Sequence, residues 1–217
     1  MTIEHHPSEE LLAGFAAGKL EQAEHIVMAA HVSMCARCRR FVAALERMGG
    51  IALEAVEPAA MAADAFDVAM ARIESGALSR PASADRRPRR RTEEVDLPLV
   101  LNHYEIGSLR RIAPGVSMRP ILLPKTGKSR AFLLMSAPGT RMLEHTHTES
   151  ELTCVLRGSF SHQGGRFGPG DFDLGDHSID HQPVVGTEEP CVCLVAMSGK
   201  LRIHGVLGRL IEPFIRL

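Results

Sequence analysis

The sequence is poor in the features that mark several common classes of protein. Its 217 residues include no tryptophan and one tyrosine, so base stacking on aromatic side chains is a poor basis for recognition. The formal net charge of −1 gives no general attraction to nucleic acid or to a membrane surface. No apolar run is long enough to span a membrane, and the N-terminus lacks a signal-peptide pattern. These absences predict a cytoplasmic protein.

Cysteine is present in an odd number, as two close pairs and the single Cys154. In a reducing compartment, close pairs are more typical of metal or redox chemistry than of a disulfide framework. Cys154 lies in an apolar run and is expected to be a core residue.

The first 78 residues have a helical composition, rich in Ala, Leu, Met and Glu. Four helices are predicted, at about 8–17, 21–33, 35–48 and 62–75. Ser8 is the expected N-cap of the first helix, and Gly49-Gly50 are expected to end the third. This half contains 6 Lys and Arg against 11 Asp and Glu, a local net charge of −5 that favours a partner with basic surfaces.

Residues 79–96 change in character, because Pro, Arg and small residues replace the apolar ones. Such a segment lacks the apolar content to order itself, and we expect a linker. From residue 97 to 217, short apolar runs alternate with Gly and Pro turns, a pattern typical of an antiparallel β-barrel or sandwich. Leu99-Val-Leu is expected to be the first of these strands. The predicted fold class is therefore α+β in two domains.

One candidate metal site lies in the helical half, in the pattern His31-x3-Cys35-x2-Cys38. One helical turn separates successive members, so the three side chains leave the same helix face. An imidazole and two thiolates supply three corners of a tetrahedral zinc site. The fourth corner must come from elsewhere, and His5 or His6 could supply it.

A second candidate site lies in the β half, where His145-x-His147-x3-Glu151 precedes a downstream His181. Residues two apart on a strand point to the same face, so His145 and His147 can share an ion. Three imidazoles and one carboxylate suit Zn, Fe, Mn or Ni, and the spacing does not choose among them.

Cys191 and Cys193 are also two apart on a predicted strand and therefore share a face. Core packing and a redox role are both consistent with that placement. The two residues are too close along an extended strand to form an unstrained disulfide with each other.

The β-half pattern, from Gly139 to Gly158, resembles the first motif of the cupins. The second cupin motif is only loosely present, at Gly168-Pro-Gly-Asp and His181, with His177 as the alternative ligand. The helical pattern resembles the zinc-binding anti-sigma motif. A zinc anti-sigma domain of four helices, a linker and a cupin, in this order, resembles the ChrR family of anti-sigma factors along nearly the whole chain.

The resemblance implies that residues 1–78 sequester an extracytoplasmic function (group IV, or ECF) sigma factor. It implies that the cupin, residues 97–217, is needed for release under singlet oxygen or related oxidants. It also implies zinc at both sites, with His6 completing the helical one. Direct DNA binding and membrane binding are not expected, and no catalytic residue is assigned.

The competing interpretation is a metal-dependent cupin enzyme, such as a dioxygenase or isomerase, with an N-terminal dimerisation module. A catalytic site needs an open coordination position. Three His and one Glu close a tetrahedral zinc site but leave two positions open on octahedral iron or manganese. Metal analysis would therefore separate a regulator from an enzyme.

Overall fold

The computed structural model describes residues 2–76, 96–124, 127–177 and 180–203. Within these ranges the N-terminal part is helical and the C-terminal part is an antiparallel, sheet-rich cupin-like domain, which confirms the predicted fold class. The predicted linker lies outside the described residues except for Asp96. The helices are α1 (Glu9–Ala16), α2 (Gln22–Met34), α3 (Ala36–Glu54) and α4 (Ala65–Glu74), with a 3-10 helix at Leu99–His103.

The chain contains twelve described strands, all paired antiparallel. Their bounds are β1 (Glu105–Ile106), β2 (Arg110–Ala113), β3 (Val116–Leu122), β4 (Arg130–Ser136), β5 (His145–His147), β6 (Glu151–Arg157), β7 (Phe160–His162), β8 (Gly165–Phe167), β9 (Phe172–Gly175), β10 (Val184–Val185), β11 (Cys191–Met197) and β12 (Leu201–Ile203). The main sheet has the order β1-β3-β4-β11-β6-β9, with β2 beside β3; β10-β7-β8 and β12-β5 form two smaller sheets.

Local sequence signals set the starts of the first two helices. The Ser8 hydroxyl accepts a hydrogen bond from the Leu11 backbone N–H at 3.2 Å, as expected of an N-cap. Gly18, with φ +65°, follows the end of α1. At the start of α2, the Glu24 carboxylate accepts from the Glu21 N–H at 3.2 Å.

Two local expectations are wrong. Helix α3 does not end at Gly49-Gly50 but continues to Glu54. Each glycine costs only about 1 kcal/mol relative to Ala, and the strong helix formers on both sides outweigh this cost. The run from Leu99 is a 3-10 helix rather than a strand. A short apolar run does not distinguish the two, and Pro98 suits a helix start.

The central strand β11 is buried on both faces, and each face belongs to a different core. Cys191, Cys193 and Val195 pack among the apolar side chains inside the barrel. Leu194 and Ala196 point outward and share a core with apolar residues of α2 such as Ile26. Helix α2 therefore covers the outer face of the cupin-like sheet.

The chain divides into two compact units. One contains Met1–Glu46 together with Arg89–Leu217, and so includes α1, α2 and the cupin-like sheets. The other is Arg47–Pro88 and includes α4. Within the described residues, no helix combines the length and the apolar character needed to cross a membrane. The boundaries expected from composition, at residues 78 and 97, stay predictions.

Candidate metal centres and family

The first candidate centre brings together His6, His31, Cys35 and Cys38. His31 lies in the last turn of α2, Cys35 follows that helix, and Cys38 lies in the first turn of α3. His6 arrives from the segment before α1. The ligand atoms of all four residues lie within 4.8 Å of one another. His5 is directed elsewhere, since its ring centroid lies 4.1 Å from that of Phe167.

The separations between these atoms are close to those expected around a tetrahedral ion. The His6 Nδ1 atom lies 3.4 Å from Cys35 Sγ and 3.5 Å from Cys38 Sγ. The His31 Nε2 atom lies 3.2 Å from Cys38 Sγ. In a tetrahedral zinc site with bonds of ordinary length, two ligand atoms lie about 3.3 to 3.8 Å apart. Two of the three separations fall in this range and the third is about 0.1 Å shorter, so the four residues could hold a zinc ion after small shifts.

The electrostatics of the site also fit a cation. Burial lowers the pKa of His31 to about 4, which keeps its imidazole neutral. The His31 Nδ1–H donates to the Gly170 carbonyl at 2.8 Å, so the Nε2 lone pair faces the thiols. Burial, and then the contact with Cys35, raises the pKa of the Cys38 thiol to about 12. A thiol so placed becomes a thiolate only beside a positive charge, which a metal ion supplies.

The second candidate centre brings together His145, His147 and His181, all buried. His145 and His147 form the ends of β5, and His181 pairs with His145 across an isolated bridge. The His181 Nε2 atom lies 2.9 Å from His145 Nε2 and 3.3 Å from His147 Nε2. His177, the alternative ligand, is exposed and lies outside this group.

Three ring nitrogens at these distances fit a bound cation. The His145 Nδ1–H donates to the Leu143 carbonyl at 2.7 Å, which leaves the His145 Nε2 lone pair directed at His181. Burial lowers the pKa values of His147 and His181 to about 4, so neither nitrogen readily takes a proton. Two nitrogen ligands of one ion lie about 3.3 Å apart in a tetrahedral site, and about 3.0 Å apart in an octahedral site with bonds of about 2.1 Å. The geometry therefore does not choose the metal.

Glu151 is beside this centre but not among its converging atoms. Its carboxylate lies 3.8 Å from Nδ1 of His147, on the opposite edge of the ring from the Nε2 cluster. Burial, and then the negative charge of Asp173, raises the pKa of Glu151 to about 7. A cation nearby would favour the charged carboxylate, so Glu151 remains a candidate fourth ligand.

The pair His162–Asp173 was not predicted. Backbone N–H of Gly164 donates to His162 Nδ1 at 3.0 Å, so the proton of this ring is on Nε2. That Nε2–H donates to Asp173 at 2.9 Å. Both ring nitrogens of His162 are thus hydrogen-bonded, and the pair lies beside His181, with which it forms a third group whose ligand atoms lie within 4.8 Å of one another. Alternation in Phe172-Asp-Leu-Gly175 puts Asp173 and Gly175 on one face of β9, but only the structure shows that this face lies toward the centre.

A cavity of about 480 Å³ lies within the cupin-like domain beside this centre. Most of its wall is apolar, and the polar exceptions include His145, His181 and Glu151. Cys191 and Cys193 also line it, with their Sγ atoms 3.6 Å apart. The contact with Cys191, and then burial, raises the pKa of the Cys193 thiol well above its usual value. This thiol is accordingly protonated at neutral pH.

The geometry defines a cupin-like domain with a candidate metal centre, joined to a helical segment with a His2Cys2 centre. Residues 106–200 match the family model described as the ChrR cupin-like domain. The chain is 35% identical over 220 residues to the anti-sigma-E factor ChrR of Cereibacter sphaeroides, covering all of both chains. It therefore belongs to the ChrR family of anti-sigma factors, and the resemblance seen in the sequence is confirmed.

A solved structure supports the same assignment. The chain matches ChrR in the crystal structure of Rhodobacter sphaeroides SigE in complex with this anti-sigma factor, with a TM-score of 0.74 and 33% identity. The match covers 91% of this chain and 100% of the other. The relative is a regulator rather than an enzyme, which confirms the prediction that this chain is not an enzyme.

Proposed function

We propose that this chain sequesters a sigma factor of the ECF class through its helical part and releases it under oxidative stress. The observation that carries the proposal is an apolar surface left exposed on the unit Arg47–Pro88. Helix α4 contains no buried residue, although Phe66, Met70 and Ile73 recur on it at helical spacing. An amphipathic helix of this kind is typical of a segment that buries its apolar face against a partner.

The exposure is large for side chains of this type. Phe66 is 73% exposed and Ile73 is 57% exposed. The C-terminal part of α3 adds Ile51 at 69% and Leu53 at 74%. Soluble proteins rarely leave so many large apolar side chains together in water, and such patches mark interaction sites.

The related structure names the kind of partner, since ChrR is there bound to SigE. We infer that Phe66 and its apolar neighbours insert between helical regions of the cognate sigma factor. An occupied sigma surface is then closed to core RNA polymerase. Sigma factors act on polymerase in the cytoplasm, so we place this chain there, with no direct contact to DNA or membrane.

Zinc at His6, His31, Cys35 and Cys38 would act as a structural ion, since four protein ligands leave no open position. It would fasten the segment before α1 to the junction of α2 and α3. Because α3 continues to Glu54, the same ion would fix the start of the helix whose far end carries Ile51 and Leu53. Binding of the sigma factor is therefore expected to depend on this ion.

The cupin-like domain would receive the oxidative signal at a second metal ion, held by His145, His147 and His181 with Glu151. Zinc is our proposal for this ion as well. Imidazole and thiol groups are electron-rich targets for singlet oxygen and related oxidants, and Cys191 and Cys193 lie on the same cavity wall. The Cys193 thiol, whose pKa is raised, is a slow nucleophile at neutral pH, so we expect the histidine centre to be the primary target.

Co-purification from the host, followed by metal analysis of the complex, tests this proposal. A tagged chain is expected to bring down one sigma factor and about two zinc ions per chain. Phe66→Asp is expected to lose the sigma factor and keep the metal. If the tagged chain is purified under reducing, oxidant-free conditions and no sigma factor is bound to it, the proposal is overturned.

A further inference from the structure

One short strand touches both candidate metal centres. Phe172, at the start of β9, lies against His31, with the two ring centroids 5.9 Å apart in a T-shaped contact. Gly175, at the end of the same strand, faces the cupin histidines. A methyl group there would lie 3.2 Å from His147 Nε2 and 3.3 Å from His181 Cε1. About 10 Å of extended chain therefore connects Phe172, which contacts a ligand of one centre, to Gly175, which contacts two ligands of the other.

The turn before β9 holds the segment that delivers His6. The buried Asp171 accepts hydrogen bonds at Oδ1 from the backbone N–H groups of Glu4, at 2.8 Å, and His5, at 3.0 Å. Its Oδ2 accepts from the Gly168 N–H at 2.8 Å, which fixes the turn. The Phe172 N–H donates to the His5 carbonyl at 3.1 Å. The cupin-like domain thus positions His5, the residue immediately before the candidate ligand His6.

The same turn orients the other histidine of the helical centre. The Gly170 carbonyl accepts from His31 Nδ1–H, which selects the tautomer that presents Nε2 to the thiols. Hydrogen bonds of this kind are integral to metal sites, and their loss costs about 10- to 100-fold in metal affinity. Gly170 has φ +89°, and a Cβ there would lie 2.5 Å from Ile3 Cδ1, so the turn has little freedom to move alone.

Strand β9 also contacts the surroundings of the cupin centre. Asp173 is bonded to His162, whose ring centroid lies 5.3 Å from that of His181. Close-packed elements shift as bodies rather than deform atom by atom. A change in the positions of His147 and His181 would therefore be expected to displace Gly170 and Asp171 through β9.

We propose that β9 and the turn Gly168–Asp171 couple the two metal centres, with Asp171 and Gly170 as positioning groups for His6 and His31. An ion bound at the cupin histidines then raises the zinc affinity of the helical centre, and loss of that ion lowers it. The coupling is reciprocal by thermodynamic linkage. This inference rests on the proposed function, because it assigns the route from its sensor to its sigma-binding part.

The test measures zinc protection of Cys35 and Cys38 in the full chain. The zinc-loaded protein is treated with iodoacetamide, and mass spectrometry follows alkylation of these two cysteines. We expect His181→Ala, which removes a cupin ligand, to accelerate alkylation about 10-fold, a typical size for coupling between two sites. Gly175→Ala keeps every ligand but crowds His147 and His181, and is expected to accelerate it as well. Far-ultraviolet circular dichroism confirms that each variant is folded.

A double-mutant cycle identifies the route. Asp171→Asn is expected to accelerate alkylation, and adding His181→Ala to it should give less than the product of the two single effects. Glu21→Gln is the matched control, because Glu21 joins α2 to the cupin-like domain at Ser129 without touching either centre. Its alkylation rate should equal that of the wild type.

The outcomes separate the inference from the proposed function. If zinc fails to protect Cys35 and Cys38 in the wild type, both the helical centre and the inference are wrong. If zinc protects them but His181→Ala and Gly175→Ala leave the rate unchanged, only the coupling is wrong. The coupling is also wrong if the double variant accelerates alkylation by the full product of the Asp171→Asn and His181→Ala effects. It is equally wrong if Glu21→Gln accelerates alkylation as much as these variants do.

Discussion

Truncation of Phe66 to alanine is expected to weaken binding of the sigma factor without destabilising the chain. Complete burial of a phenylalanine side chain contributes about 1.5 to 3 kcal/mol. Phe66 is 73% exposed, so a partner that covers it fully gains about 1.1 to 2.2 kcal/mol from this residue. At 1.4 kcal/mol for each factor of ten, the dissociation constant should rise about 6- to 40-fold.

The assay is isothermal titration calorimetry of the full chain against the purified cognate sigma factor. Leu109→Ala is the matched control, since Leu109 is 48% exposed but belongs to the cupin-like domain. Its dissociation constant should equal that of the wild type, and both variants should keep the wild-type melting temperature. Unchanged binding by Phe66→Ala, or equal weakening by Leu109→Ala, would refute the docking surface.

Three further predictions concern the helices and their metal. Cys38→Ser should lower the bound zinc by about one ion per chain and reduce helical circular dichroism, and an unchanged metal content would contradict the His2Cys2 centre. The hydrogen bond from the Ser129 hydroxyl lowers the pKa of Glu21, so its stabilisation should be present near neutral pH and vanish as the pH falls through the folded-state pKa. The melting temperature of Glu21→Gln should therefore be below that of the wild type at pH 7 and equal to it in strong acid. A difference in melting temperature that does not change with pH would refute this. Gly49→Ala and Gly50→Ala, at helical positions where an added Cβ meets nothing within 4 Å, should each raise the free energy of unfolding by about 0.5 to 1 kcal/mol, and a decrease would contradict the continuous helix.

Much of the candidate chemistry was predictable because it depends on short-range spacing. His31, Cys35 and Cys38 converge as predicted, but not from one helix face, because the backbone of Cys35 is extended at the junction of α2 and α3. The two-residue spacing of His145 and His147 gives two imidazoles on one face of β5. In β5 the local backbone period fixes where the side chains point.

The unpredicted features depend on contacts between distant parts of the chain. Asp171 contacts Glu4 and His5 across 167 and 166 residues, and no local pattern announces such a pairing. The apolar run of β11 showed that the strand is buried, but not that α2 covers its outer face. Leu99 and Gly49 were misassigned because a short apolar run and a glycine pair are weak signals that neighbouring residues override.

Transcription in vitro tests sigma sequestration most directly. Core RNA polymerase, the cognate sigma factor and a sigma-dependent promoter are titrated with the zinc-loaded chain. The account predicts complete inhibition at about one chain per sigma factor, and recovery when Phe66→Asp replaces the wild type. Full transcription in the presence of an excess of the folded, zinc-loaded wild-type chain would contradict it.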